Sequence, residues 1–278
     1  MSAPSVRSAV SPTALRRAAV VRPLASFLRA DPVVKLAAGI ILLAVWEICA
    51  RAFAPPFVAR PLNIFAAMPR VFANDAFWAA AWSSFGAVLV GLAIALVAGT
   101  LVGLAIGRVR TAERMLGIYV SSFFTMPMIA VLPLLTVWFG YNEEARLATI
   151  VFAALFSVII NVSDGARSVP HEYLEVGRAY RARTRDIWFD ITLLSALPYL
   201  IAGIRLAAGR TLVGTVLAEI YASIDGMGMF ILANARGLRQ NEAIVGVLLL
   251  AAVGLAFEWL MNWVLRRYFP WYRREGRE

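Results

Sequence analysis

Between Ala76 and Gly107 the chain runs for 32 residues without one charged side chain. Met115 to Asn142 adds 28 such residues, and Leu147 to Ser163 another 17. About 20 apolar residues in a helix cross the hydrocarbon core of a bilayer. These runs are too long for the strands of an outer-membrane barrel and lack their alternation. With 61% of residues apolar and 16% charged, the pattern predicts an all-α integral membrane protein.

Six transmembrane helices are expected, at about 34–54, 78–107, 114–138, 145–164, 189–218 and 243–266. Segment 55–77 reads as a loop with Pro55, Pro56, Pro61 and Pro69 and a short helix near Ile64 to Ala73. Residues 1–32 resemble a transit peptide in composition but read as a basic, disordered tail. Residues 33–268 form the membrane domain, and 269–278 a second basic tail. The net charge is +10, and topology explains it better than nucleic-acid binding. Nineteen basic residues fall on the side that holds both termini and six on the other, while Arg205 and Arg210 lie inside the fifth span. Positive residues stay inside, so both termini are expected in the cytoplasm.

Lys35 is the sole lysine and does not follow a glycine, so the chain has no P-loop to hold a nucleotide. His171 is the sole histidine, which rules out paired-histidine metal sites within one chain. Cys49 is the sole cysteine and lies in an apolar run, where a small packing role is expected. No catalytic residue, metal site or resident cofactor is predicted. Ala87, Gly91, Ala95, Gly99, Gly103 and Gly107 recur at multiples of four in the second span. They share one face, so two backbones can approach there, within one chain or across a dimer. Pro127 and Pro133 are expected to kink the third span. Glu47 and Glu258 read as interfacial or hydrogen-bonded packing residues.

The loop 165–198 is different in kind. Pro170 suits a helix start, Glu172 and Glu175 suit its positive end, and Arg181, Arg183 and Arg185 suit its negative end. A helix from about Pro170 to Arg183 is predicted. Tyr173, Val176, Gly177 and Tyr180 fall on one stripe, and Arg178, Arg181 and Arg185 on another. Ile187, Trp188 and Phe189 are expected at the membrane interface. By composition alone, such a helix could rest on anionic lipid as well as on a protein.

The sequence around this loop resembles the coupling loop of ABC-importer permeases, the binding-protein-dependent transport family. That loop has Glu-Ala-Ala, then a glycine four residues on, then Ile-x-Leu-Pro. This chain has Glu175-Val176-Gly177, Arg181 at the usual glycine, Ile191 and Leu193, Leu194 at the first proline, and then Pro198. Gly203-Ile204-Arg205-Leu206, Ala218-Glu219 with Gly226-Met227-Gly228, and Pro133 to Gly140 are similar to family segments in the same order. The resemblance covers about residues 60–265 and is greatest to the nitrate, sulfonate and taurine branch.

The resemblance implies a type I ABC-importer permease fold with a cytoplasmic coupling helix, in a bacterial inner membrane. It implies a separate ATPase subunit carrying ATP and Mg, an external substrate-binding protein, and a second permease chain as a homodimer. Tyr173, Glu175, Gly177, Arg178, Ala179, Tyr180, Arg181 and Ala182 become candidates for the ATPase contact. Arginine at 181 suggests that the helix runs on without a break. Arg205, Arg210 and Glu219 are pore or gate candidates, because charges within a span are functional candidates by default. Arg205 and Arg210, five apart, do not share one helix face. The transported solute is expected to be small and anionic. The alternative is an ion-coupled secondary transporter, which predicts acid or histidine pairs at mid-depth.

Overall fold

The structure is a computed structural model that describes residues 31–55 and 57–268, and every regular element among them is helical. The expected tails lie mainly outside the described residues, except that a helix already begins at Asp31. The chain divides into two compact units, one ending at Phe65 and the other starting at Ala66.

The first unit holds α1 (Asp31–Phe53) and the start of α2 (Pro61–Phe72). Glu47 pairs with Arg51 one turn on and accepts a 3.1 Å hydrogen bond from the backbone N–H of Leu62. That carboxylate satisfies one of the open amides at the start of α2. Glu47 is therefore a hydrogen-bonded structural residue, as expected. Cys49 is exposed on α1 and does not pack inside its unit, contrary to expectation.

The second unit is built on α3 (Asp75–Arg108), α6 (Glu143–Arg167) and α8 (Leu194–Ala222). Asn74 caps α3 by accepting from the Ala76 amide at 3.0 Å, and Asn142 caps α6 by accepting from Glu144 and Ala145. At 34 residues, α3 is about 51 Å long by the α-helical rise. That exceeds the ~30 Å hydrocarbon core.

The small-residue ladder of α3 lies against α6 of the same chain, which settles the choice between internal and intermolecular packing. A Cβ added to Gly99 would stand 2.7 Å from the Val158 Cβ, and one on Gly103 would stand 2.8 Å from the Ile159 carbonyl oxygen. Gly91 faces Ile150, and Gly107 faces Ala166 and Ser163. The opposite face of α6 receives α8, with Gly203 against Asn161, Gly214 against Ala153, and Gly165 against Tyr199. Leu92, Ala95, Leu104, Ala154, Val158, Val162, Ala166, Ala207 and Ala208 form the resulting core.

The expected third span is two helices, α4 (Arg110–Thr125) and α5 (Met128–Phe139), bent by 107° at the break. The residue before a proline is pushed out of the helical region, and Met126 is extended with ψ at 130°. Pro133 sits inside α5 and breaks nothing. Gly140, with φ at 85°, then ends α5 in a conformation that favours glycine. Among the described residues, five helices are long and apolar enough to cross a membrane, and six spans result if the bent pair is one.

The seam yields a paired prediction. Gly103→Leu drives a side chain into a backbone carbonyl and should lower stability by about 1–3 kcal/mol or more. Gly86→Leu, on the same helix but with nothing within 4 Å of its Cβ position, should melt like the native protein. Thermal unfolding in detergent, followed by size-exclusion chromatography, reads the difference. Equal melting of the two variants would show that the seam is not a close backbone contact.

Candidate functional site

Helix α6 ends at Arg167, and Pro170 then precedes α7 (His171–Ala179). The helix shows one inward strip, Leu174 and Gly177, and is otherwise exposed. A Cβ on Gly177 would come 2.9 Å from the Ile191 Cδ1. Gly177 thus lets α7 lie on the chain's own next segment, and its small size is used inward. Tyr173, Glu175, Arg178, Ala179, Tyr180 and Arg181 all face outward, and Ala182 is half-buried. His171 Nδ1 lies 3.2 Å from the Glu175 Oε1. Tyr173, Tyr180, Ile191 and Pro198 border a groove of about 1040 Å³ beside the helix.

The predicted continuation of this helix to Arg183 is not observed. The Ala182 amide donates to the Gly177 carbonyl at 2.9 Å and the Arg181 amide to the Arg178 carbonyl at 3.0 Å. Arg181 has φ at 53°. This is the Schellman closure, which places a left-handed residue just past the helix end. Glycine is the usual choice there. Here an arginine makes the same turn, so the departure from the family pattern changes the side chain and leaves the backbone turn in place.

Asp186 then accepts from the Arg183 amide at 3.0 Å. Ile187–Leu193 winds as a π-helix, with buried Thr192 donating to the Ile187 carbonyl five residues back. Trp188 packs against the core, while Phe189 is exposed. The π segment passes through Leu194 into α8 without a break. Hydrophobic periodicity carries no sign of a one-residue insertion that locally underwinds the helix, so the sequence did not show it.

The three charged candidates on α8 differ. Arg205 donates to the Asn262 Oδ1 at 2.7 Å and stands 3.6 Å from the Glu258 carboxylate. Arg210 lies over the Phe124 ring, 4.1 Å from its centroid. Both arginines line one cavity, since long side chains reach round the helix although the positions do not share a face.

Glu219 is fully buried. It accepts from the Ser84 hydroxyl at 2.6 Å and the Gly228 amide at 2.7 Å, and lies 3.4 Å from the Arg146 Nη1. Ser84 in turn accepts from the Met227 amide. Arg146 also reaches the Ser83 hydroxyl, the Asp225 carbonyl and Glu143. Gly226-Met227-Gly228 therefore wraps the positive end of α9 (Met227–Arg236) onto a buried carboxylate. A Cβ on Gly228 would meet the Val216 carbonyl at 2.7 Å. Glu219 thereby ties α8 to α3, α6 and the start of α9. Arg146 was counted in sequence as a loop charge. Its position in the first turn of an apolar helix was the available sign that it turns inward.

Two outcomes follow from this geometry. Glu219→Ala removes the buried acceptor of the Ser84 hydroxyl and the Gly228 amide and one of the two carboxylates that meet Arg146, and should cost about 3–5 kcal/mol, while Arg146→Met with Glu219→Met should recover part of it. Full additivity of the two single losses in denaturant titrations would show that the pair is not coupled. Arg181→Gly relieves a left-handed arginine and should raise stability by about 1 kcal/mol. A loss instead would mean that the Arg181 side chain holds the turn.

Residues 91–270 match the family described as "Binding-protein-dependent transport system inner membrane component". A Bacillus subtilis (strain 168) protein named as an aliphatic sulfonates transport permease, SsuC, is 30% identical over 62% of this chain. The match covers 63% of that relative, so the chain spans less than two thirds of its length. The taurine transport system permease protein TauC of Escherichia coli (strain K12) is 26% identical over 84% of this chain and 87% of its own. The nitrate import permease protein NrtB of Synechococcus elongatus is 27% identical over 83% and 87%. The helical architecture, the loop helix α7 and a family match over most of the length converge: the chain belongs to the inner-membrane permease components of binding-protein-dependent ABC transport systems.

Proposed function

We propose that this chain is the path-forming subunit of an ATP-driven importer for a small anionic solute, and that the outward face of α7 docks a separate ATPase subunit. The observation that carries the reading is mechanical. The inward strip of α7 rests on Ile187–Leu193, and that segment is continuous with α8. Movement of α7 is thereby passed to the helix that holds Arg205, Arg210 and Glu219. A bistable bundle biased by nucleotide in a partner needs such a rigid connection.

In this reading Tyr173, Glu175, Arg178, Ala179, Tyr180 and Arg181 touch the ATPase subunit, and Gly177 sets the seat of the helix. ATP and Mg belong to that partner. An external binding protein delivers the solute, and two copies of the chain enclose the path about a two-fold axis. The termini and α7 lie on the cytoplasmic side. The relatives named for nitrate and sulfonates support an anionic solute, as do the arginines within α8, and the relative named for taurine supports a solute with a sulfonate group. No arrangement of the described residues favours the secondary-transport alternative.

The test uses the chain assembled with its ATPase subunit and binding protein in proteoliposomes. Arg178→Glu with Glu175→Arg should reduce co-purification of the ATPase at least tenfold. Gly177→Leu should keep the ATPase bound yet lower solute uptake at least tenfold, because the helix is lifted from Ile191. Undiminished assembly and uptake in both variants would place the docking surface elsewhere.

A further inference from the structure

Arg205 and Arg210 stand on either side of Ala208, midway along α8. With Phe123, Met126, Phe152 and Val213 they line a cavity of about 840 Å³, within the size range of small-molecule sites. The two charges are not equivalent. Arg205 is matched by Glu258 at 3.6 Å and by Asn262. Arg210 has no carboxylate within ion-pairing distance among the described residues. Its hydrogen bond is a long one, 3.4 Å to the Phe124 carbonyl. The Phe124 ring covers its guanidinium plane and leaves most of its five donors unused.

A charge at mid-span is expected to be balanced. The cavity therefore carries one uncompensated positive charge beside aromatic and apolar walls. A planar guanidinium with free donors suits two oxygens of one oxoanion. We propose that Arg210 anchors a site for a small monovalent oxoanion, of the sulfonate, carboxylate or nitrate type. The Arg205–Glu258 pair forms a neutral wall that disfavours dianions. This deepens the anionic-solute reading above and rests on it. A lipid phosphate shares the same chemistry, and the test separates the two.

The full chain in phosphatidylcholine nanodiscs is titrated by calorimetry with methanesulfonate and with sulfate. Methanesulfonate should bind at least tenfold more tightly. Arg210→Gln should weaken it at least tenfold, and Arg210→Lys less. Gly209 also lines the cavity, and its added Cβ would meet nothing within 4 Å. Gly209→Leu should therefore abolish binding while melting like the native chain. Glu258→Gln, which frees the charge of Arg205, should narrow the preference against sulfate.

Unchanged methanesulfonate binding in Arg210→Gln and Gly209→Leu overturns the site, as does no binding by the native chain. Loss of binding in phosphatidylglycerol discs overturns it in favour of a lipid phosphate. Anion uptake by the assembled transporter separates the two readings. Uptake with unchanged KM in Arg210→Gln sinks the site and spares the importer. Binding that meets every expectation, with no anion uptake, does the reverse.

Discussion

The contact on which the second unit depends is the approach of the α3 backbone to α6. In lipid, apolar side chains gain little by leaving their surroundings for one another, so association relies on close packing. Gly99 and Gly103 bring one backbone within reach of Val158 and the Ile159 carbonyl. The far side of α6 repeats the device through Gly165, with Gly203 and Gly214 supplied by α8. A central helix gripped on both faces by small residues cannot rotate without opening gaps. α3, α6 and α8 therefore form one interlocked piece that can move as a body.

The loop after α6 turns that rigidity to use. Leu174 and Gly177 seat α7 on the π segment, and the Schellman turn at Arg181 sends the chain back toward α8. A π segment adds a residue within a helical run and shifts the face of everything after it. The Thr192 hydroxyl ties down that irregularity at a buried position. The coupling surface and the charged residues of α8 thus belong to one continuous piece of chain.

Long-range order in composition was legible in the sequence. The long apolar runs gave the spans, and the four-residue spacing of glycines gave the packing face. Local sequence also marked the helix near Pro170 and the break near Pro127. What stayed hidden depends on hydrogen bonds that no periodicity records. Arg181 reads as a helix former, yet the amides of residues 181 and 182 close the helix at Ala179. Gly177 reads as room for a partner, yet Ile191 occupies that room.

Charge within the spans shows the same limit more sharply. Glu219, Arg205 and Arg210 look alike in sequence, as ionisable residues in an apolar helix. Their roles are decided by residues far away in the chain. Ser84 and Arg146 bind Glu219 from 135 and 73 positions away, and Asn262 reaches Arg205 from 57. The ion pairs with Arg146 and Glu258 offset the charges of Glu219 and Arg205. Arg210 is left with an aromatic face and one long hydrogen bond. The difference among the three is therefore a property of the assembled helices, and a charge is available to a ligand only where the fold has failed to supply its partner.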